Sequence, residues 1–551
     1  MKKPSVMLRD TKRKLNGWIV ISGIGAIAAL LPSLYILTGL FRKPNENWAH
    51  IQTYLLADYA KETLILVACT VFFTVMIGAI LAWLVAAYEF PFRRFFAWGL
   101  ALPLSIPPYI AAYTYGSMFS YTGSVQRFFR NTLGMQVDQR YFDILSMKGA
   151  IFIFTLFLYP YVYLVTKTFL ERQSAAFIEN ARLLGKGPIT IFFRIVLPLS
   201  QAAIVGGASL VAFEVLNDFG LTKHFGIQSF TAAIFKTWFG MNDIDSANRL
   251  AALLMSLMIL LLVVERLLRR RKSYSSPTGR SAPLQRRKLK GAGAGAAFTI
   301  CLVVFSLSFL IPVIQLAVWA SWTYDDVINS SFWVLIRNTI GISLLAVLLL
   351  IIFACIAANA SRFDRSIWSL AMTKMIGMGY SIPGAVLSIG VLAIFISTDE
   401  RLASFYKLLG YAEGKLVLTM SLVMLVFAYI VRFAAVGFNA VETGFEKRGI
   451  RYAEASRMLG RGLTRTFFTV DLPMIKGAVL TGFLLAFMEI VKELPLTLLL
   501  RPFNFDTLAT KAYQYASDEQ IHQASVPALI LVAIGVVSVL IYHRIGERQS
   551  A

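Results

Sequence analysis

Apolar runs follow one another along almost the whole chain, broken by short polar stretches. A bilayer core takes about 20 mostly apolar residues per helix. Runs of that kind stand near residues 17–41, 63–88, 97–120, 148–169, 200–218 and 248–268, and again near 294–320, 335–358, 370–397, 415–440, 476–492 and 524–543. They predict an all-α, polytopic membrane protein of about twelve transmembrane helices. The third run contains Pro103, Pro107 and Pro108, and its counterpart contains Pro383 and Gly384. Broken helices at membrane depth are tolerated where they pack on protein or line a water-filled cavity.

Composition agrees with the pattern. Of 551 residues, 57% are hydrophobic and 15% charged, against about 45–50% and about 25% in a soluble protein. The formal net charge is +23, but a mean hydropathy of +0.66 argues for a lipid bilayer and no nucleic acid as the partner of those cations.

Their placement predicts orientation. Lys2, Lys3, Arg9, Lys12, Arg13 and Lys14 precede the first run, which is too long for a signal peptide's apolar region and lacks a clear cleavage site. The most basic segment holds Arg269, Arg270, Arg271, Lys272, Arg286, Arg287 and Lys288, and its Ser, Pro and Gly content reads as a flexible linker. Lys and Arg collect on the cytoplasmic side. With the amino terminus inside, the linker, the loops with Arg93/Arg94 and Arg362/Arg365 and the tail with Arg544 and Arg548 all fall inside as well. Outer segments carry Asp325, Asp326, Asp399, Glu400 and Glu413. Both termini are expected on the cytoplasmic side of the membrane.

Cys69, Cys301 and Cys355 lie far apart, and His50, His224, His522 and His543 share no ligand spacing, so neither a disulfide framework nor a metal knuckle is read from them.

Residues about 275 apart repeat. Glu62-Thr63 matches Asn338-Thr339, and Ser105-Ile106-Pro107 matches Ser381-Ile382-Pro383, at an offset of 276. ENARLLGKG at 179–187 matches EASRMLGRG at 454–462, and Leu197-Pro198, Glu214, Asp218, Phe230 and Lys236 match Leu472-Pro473, Glu489, Glu493, Phe505 and Lys511, at 275. The expected organisation is a first six-span repeat over 1–268, a basic cytoplasmic linker over 269–293, and a second six-span repeat over 294–551. An even number of spans per repeat makes the two parallel.

The segment after the fourth run offers Ser174 as an N-cap, apolar helical spacing at Phe177, Ala181 and Leu184, a stop at Gly185, and a restart at Pro188 running to Leu197-Pro198. Tyr452 to Pro473 repeats the design. This apolar face either packs on the membrane helices or docks a pair of identical partners. The pattern E-x-A/S-x-x-x-G followed by L-P resembles the cytoplasmic coupling loop of the permease subunits of ABC importers. The resemblance implies that Glu179, Ala181, Gly185, Leu197 and Pro198, with Glu454, Ala455, Gly460, Leu472 and Pro473, couple the chain to two copies of a cytoplasmic nucleotide-binding ATPase subunit. Asn180 and Ser456 depart from the usual Glu-Ala-Ala core.

No Walker A pattern occurs. The chain is therefore expected to be no enzyme and to bind no cofactor of its own, with ATP-Mg held by the partner subunit. Major-facilitator secondary transporters also have twelve spans and a basic central loop, but their G-x-x-x-D-R/K signature is missing from YEFPFRRFF.

FEVLNDFG (213–220), HFGIQSFTAAIFKTWFG (224–240) and MEIVKELPLTLLLRPFNFDTLATKAYQYASDE (488–519) resemble the fused permeases of bacterial ferric-iron ABC importers, which implies a periplasmic solute-binding protein as a further partner. Permeases for thiamine, polyamines, phosphonates or sulfate share the class motif. Independently, ionisable residues within spans mark pathways by default. Glu214/Asp218 and Glu489/Glu493 each sit four residues apart on one helical face. Such carboxylates suit a cationic solute, with transient Fe3+ contact at Glu214 and Glu489 as the sharpest reading. The bland alternative pairs Glu489 with Lys492 and puts Asp218 and Glu493 in interfacial loops.

Overall fold

The computed structural model describes residues 17–135, 138–172, 176–270, 285–363, 367–379, 382–410, 414 and 416–550. Ser174, the amino-terminal lysines and arginines, Arg365 and most of the basic linker lie outside the described residues. Within them the chain is helical, and its one sheet is a pair of two-residue parallel strands, Tyr88–Glu89 with Arg287–Lys288.

Among the described residues, nine helices are long and apolar enough to cross a membrane. Two bent pairs raise the number to eleven: Arg93–Ser105 with Pro108–Thr132, bent by 89°, and Pro188–Leu199 with Gln201–Asn217, bent by 74°. The first bend falls at Pro107 and Pro108, where the missing N–H and ring sterics end one helix and start the next. The remaining predicted run, 370–397, falls on the helices Ile367–Met378 and Gly384–Leu408, which flank Pro383. Asp399, Glu400 and Arg401 lie within the second of these, so it is less apolar than the other spans.

Two compact units divide the chain. One is built from 1–43, 330–510 and 540–551, the other from 44–329 and 511–539. They are interleaved with respect to the sequence repeats. The first helix, Gly17–Thr38, packs within the unit made chiefly from the second repeat, where Ala26 and Ile36 are fully buried. In the other unit, residues 511–539 lie with the first repeat, and Gly535 packs so closely on Ser105 that a Cβ there would stand 2.5 Å from the serine's Cβ.

Each unit contains the same packing node, differently filled. Around Val162, the helices Leu56–Ala87 and Gln201–Asn217 approach through Gly78 and Gly207, where a Cβ would come within 2.8 Å of Val162 Cβ and 2.7 Å of its Cα respectively. At the matching positions in the other unit stand Ala354, Gly437 and Gly482, with Leu350 and Ile351 occupying the space that corresponds to the valine's. Small residues let membrane helices pack backbone to backbone, where lipid offers no hydrophobic drive to associate.

A polar contact repeats as well. Thr63 Oγ1 accepts from Phe230 N at 3.1 Å, and Thr339 Oγ1 accepts from Leu508 N at 2.8 Å. Each donor is the first residue of a helix, Phe230–Phe235 or Leu508–Ser517. This equivalence places Phe230 opposite Leu508 rather than Phe505, because the second repeat carries three more residues before the helix.

Candidate functional site

The two predicted coupling segments adopt one design. Ala176–Leu183 and Arg451–Met458 are eight-residue helices. Each ends in a glycine of left-handed backbone, Gly185 at φ 71° and Gly460 at φ 83°. The Lys186 amide donates to Ala181 O at 3.1 Å and that of Arg461 to Ser456 O at 3.3 Å, which satisfies carbonyls the helix end would orphan. A short helix then restarts at Pro188 or Leu463, widens into five residues of π-helix (Phe192–Val196, Phe467–Asp471), and reaches Leu197-Pro198 or Leu472-Pro473 in the first turn of the next helix. In the first copy the chain bends after Leu199, whereas the second runs on into Leu472–Val491.

Burial differs from the predicted spacing. Ile178 and Ala181 are buried, and so are Ala453 and Ser456, whereas Phe177 and Leu184 are exposed. Ser456 therefore takes the place of Ala181, its Oγ 3.1 Å from Thr466 Oγ1, and Ala455 faces outward. What remains uncovered is apolar and paired: Leu183 is 85% and Leu184 77% exposed, Met458 89% and Leu459 82%. Phe193 and Phe468 extend the two faces. Glu179 is half-buried and Glu454 exposed.

Each segment is braced within its unit. Beside the first, Glu171 lies 3.6 Å from Arg286 and 3.9 Å from both Arg93 and Lys167, and Arg182 donates to Gln285 O at 3.2 Å. The tail of the predicted flexible linker is thus a strand tied to the first segment's base. Beside the second, the buried Arg362–Asp471 pair closes to 2.7 Å, and Arg362 also donates to Gly449 O at 3.0 Å.

The four intramembrane carboxylates have unlike surroundings. Glu214 is half-buried on Gln201–Asn217 and accepts from Tyr161 OH at 3.3 Å. Glu489 pairs with Lys492 at 2.8 Å. Asp218 and Glu493 do the same work as each other, accepting from the amides of Leu221 at 2.8 Å and Leu496 at 3.1 Å and so capping the helices Gly220–His224 and Pro495–Leu500. Thr222 and Thr497 return the contact, donating to Asp218 O and Glu493 O. Glu493 is also 3.5 Å from Arg432. Among the described residues, no three His, Cys, Asp or Glu side chains converge as a metal cage.

One feature had no signal in the sequence. Within the unit formed by 44–329 and 511–539, a cavity of about 960 Å³ is lined by Arg127, Arg130, Lys223, His224, Tyr513 and Glu519 together with serine and threonine hydroxyls. It lies at the opposite end of Met147–Arg172 from the first coupling segment: Leu145 lines the cavity, Ala176 opens the segment, and the 26-residue helix between them is roughly 39 Å long. Its residues come from four stretches far apart in sequence, so no local motif announces them.

Apolar helices long enough to cross a membrane, broken spans and paired exposed segments define a polytopic membrane protein. Residues 350–550 match the family of binding-protein-dependent transport system inner membrane components. It is 26% identical over 89% of its length to the Fe(3+)-transport system permease protein FbpB 2 of Haemophilus influenzae, covering 90% of that protein. A sulfate transport system permease protein, CysT of Salmonella typhimurium, is 25% identical over 38% of this chain and 76% of its own. The molybdenum transport system permease protein ModB of Escherichia coli is 27% identical over 28% of this chain and 65% of its own. The chain is a multi-pass inner-membrane transport subunit, which sets aside the secondary-transporter alternative.

Proposed function

We propose that this chain is the membrane pathway for ferric iron, delivered by a periplasmic binding protein and driven by two copies of a cytoplasmic ATPase that hold ATP-Mg. The paired segments at 176–199 and 451–473 carry the proposal, because each presents a leucine or methionine-leucine pair that only another protein can cover on the aqueous side. The iron assignment draws on the relative that shares most of its length with this chain and is named for Fe(3+) transport. In this reading the segments, the linker and both termini are cytoplasmic.

ATP-driven closure of the ATPase pair would displace both segments together, and the glycine turns would transmit that motion to the helices beginning at Leu197 and Leu472. Glu179, Ala181 and Gly185, with Glu454, Ala455 and Gly460, fix the docking helices; Leu197-Pro198 and Leu472-Pro473 start the helices that move. Glu214 and Glu489 line the cation's path, while Asp218 and Glu493, as helix caps, position its outer end.

Uptake of radiolabelled iron by cells carrying Glu214→Gln/Glu489→Gln, at unchanged membrane abundance, is expected to fall about tenfold or more. Wild-type uptake would remove both residues from the path. Iron uptake abolished by deleting the gene, but unaffected by excess thiamine, polyamine or phosphonate, separates iron from the other solutes of this importer class. Gly185→Val or Gly460→Val, forcing a β-branched residue into left-handed backbone, is expected to uncouple ATPase stimulation from the loaded binding protein. Persistence of stimulation in both would contradict the coupling roles.

A further inference from the structure

The cavity at the far end of Met147–Arg172 has the wrong charge for a bare cation. Three cationic side chains line it, Arg127, Arg130 and Lys223, against the single carboxylate of Glu519. None of the three makes an ion pair among the described residues. Arg130 is held with its guanidinium carbon 4.0 Å over the Tyr121 ring, and its Nη1 is buried with no hydrogen-bond partner. Lys223 Nζ sits 5.5 Å and 5.6 Å from the ring centres of Phe219 and Tyr513. Stacking of this kind orients a cation without neutralising it, and a buried donor left unpaired costs free energy until an acceptor arrives. The hydroxyl of Ser117 adds a further donor. The volume, about 960 Å³, lies at the upper end of small-ligand sites. Burial pushes His224 down to about 4, so it enters this wall as a neutral ring packed 4.3 Å from that of Tyr113 and adds no fourth charge.

We propose that this cavity receives an oxygen-rich anion, a polycarboxylate or oxyanion, that arrives with the transported hard cation, as its chelate or as its released counter-anion. The proposal rests on the import reading above, which places this end of the unit on the periplasmic side. Guanidinium forks match carboxylate and phosphate geometry, and the anion would screen the cation from the basic wall before the cation meets the carboxylates along the path.

The test uses the permease with its ATPase partner in lipid nanodiscs, and radiolabelled citrate as the probe, alone and loaded with ferric ion. Saturable binding is expected, weakened about tenfold or more in Arg127→Gln/Arg130→Gln/Lys223→Gln. Binding should be strengthened in Glu519→Gln, a gain that misfolding could not mimic. Binding without iron identifies the free anion as a ligand, and binding only with iron identifies the chelate. The absence of saturable binding in both arms, or an affinity unchanged in both variants, would overturn the proposal. Iron uptake in the same strains separates the two readings: no citrate binding with intact uptake refutes the cavity alone, and no iron uptake by the wild type refutes the import assignment.

Discussion

Four donors converge on the buried carboxyl of Asp399. Tyr406 OH at 2.8 Å, Leu418 N at 3.0 Å, and Thr419 N and Oγ1 at 2.8 and 2.6 Å fill its lone pairs. Burial alone would raise its pKa, but these bonds outweigh it and hold the carboxyl below the usual value. The lowered folded-state value means that Asp399 stabilises the fold above the unfolded pKa, near 3.9, and loses that contribution as pH falls through the folded value. Asp399→Asn is expected to cost on the order of 2 kcal/mol near neutral pH, with the gap to wild type narrowing below about pH 4; thermal melts in nanodiscs from acid to neutral pH measure both. Residue identity alone was a poor guide to such roles. Asp218 and Glu493 were visible as carboxylates at matched positions, but that each bonds an amide three residues on depends on a helix break after Asn217 and Val491 that apolar patterning does not mark.

At the scale of elements, the turns of the paired segments at 176–199 and 451–473 are legible because glycine at the stop and proline at the restart are local backbone requirements, met at Gly185, Pro188 and Gly460. Their exposed faces were not. In a membrane protein, apolar residues face lipid and partners as well as the core, so spacing at Phe177 and Leu184 could not say that both point outward. The π-helical turns and the 74° bend after Leu199 likewise leave no periodic signature. Because Leu183, Leu184, Met458 and Leu459 are exposed, Leu183→Asp/Leu184→Asp and Met458→Asp/Leu459→Asp should leave folding intact. Each pair is expected to weaken recovery of the ATPase with the permease by about tenfold or more, and all four changes together to abolish it; co-purification from mild detergent reads this directly.

At the scale of the whole molecule, matched residues at 275 and 276 are read from the sequence, and Thr63 and Thr339, one such pair, accept like bonds from Phe230 N and Leu508 N. The interleaving of the units was hidden, since a helix such as Gly17–Thr38 is apolar on every side and carries no polar face to say which repeat it joins. A chain cut within 271–284 and expressed as two pieces is expected to yield a complex of both, with either piece alone recovered at much lower level, because each unit needs helices from both. Order of synthesis follows from the same feature. The unit that begins at residue 44 has almost all its chain by residue 329, yet lacks 511–539 until the chain has grown by a further 182 residues. At ~5–20 residues per second that wait is on the order of ten to forty seconds. During it the surface that 511–539 will cover stands open to lipid.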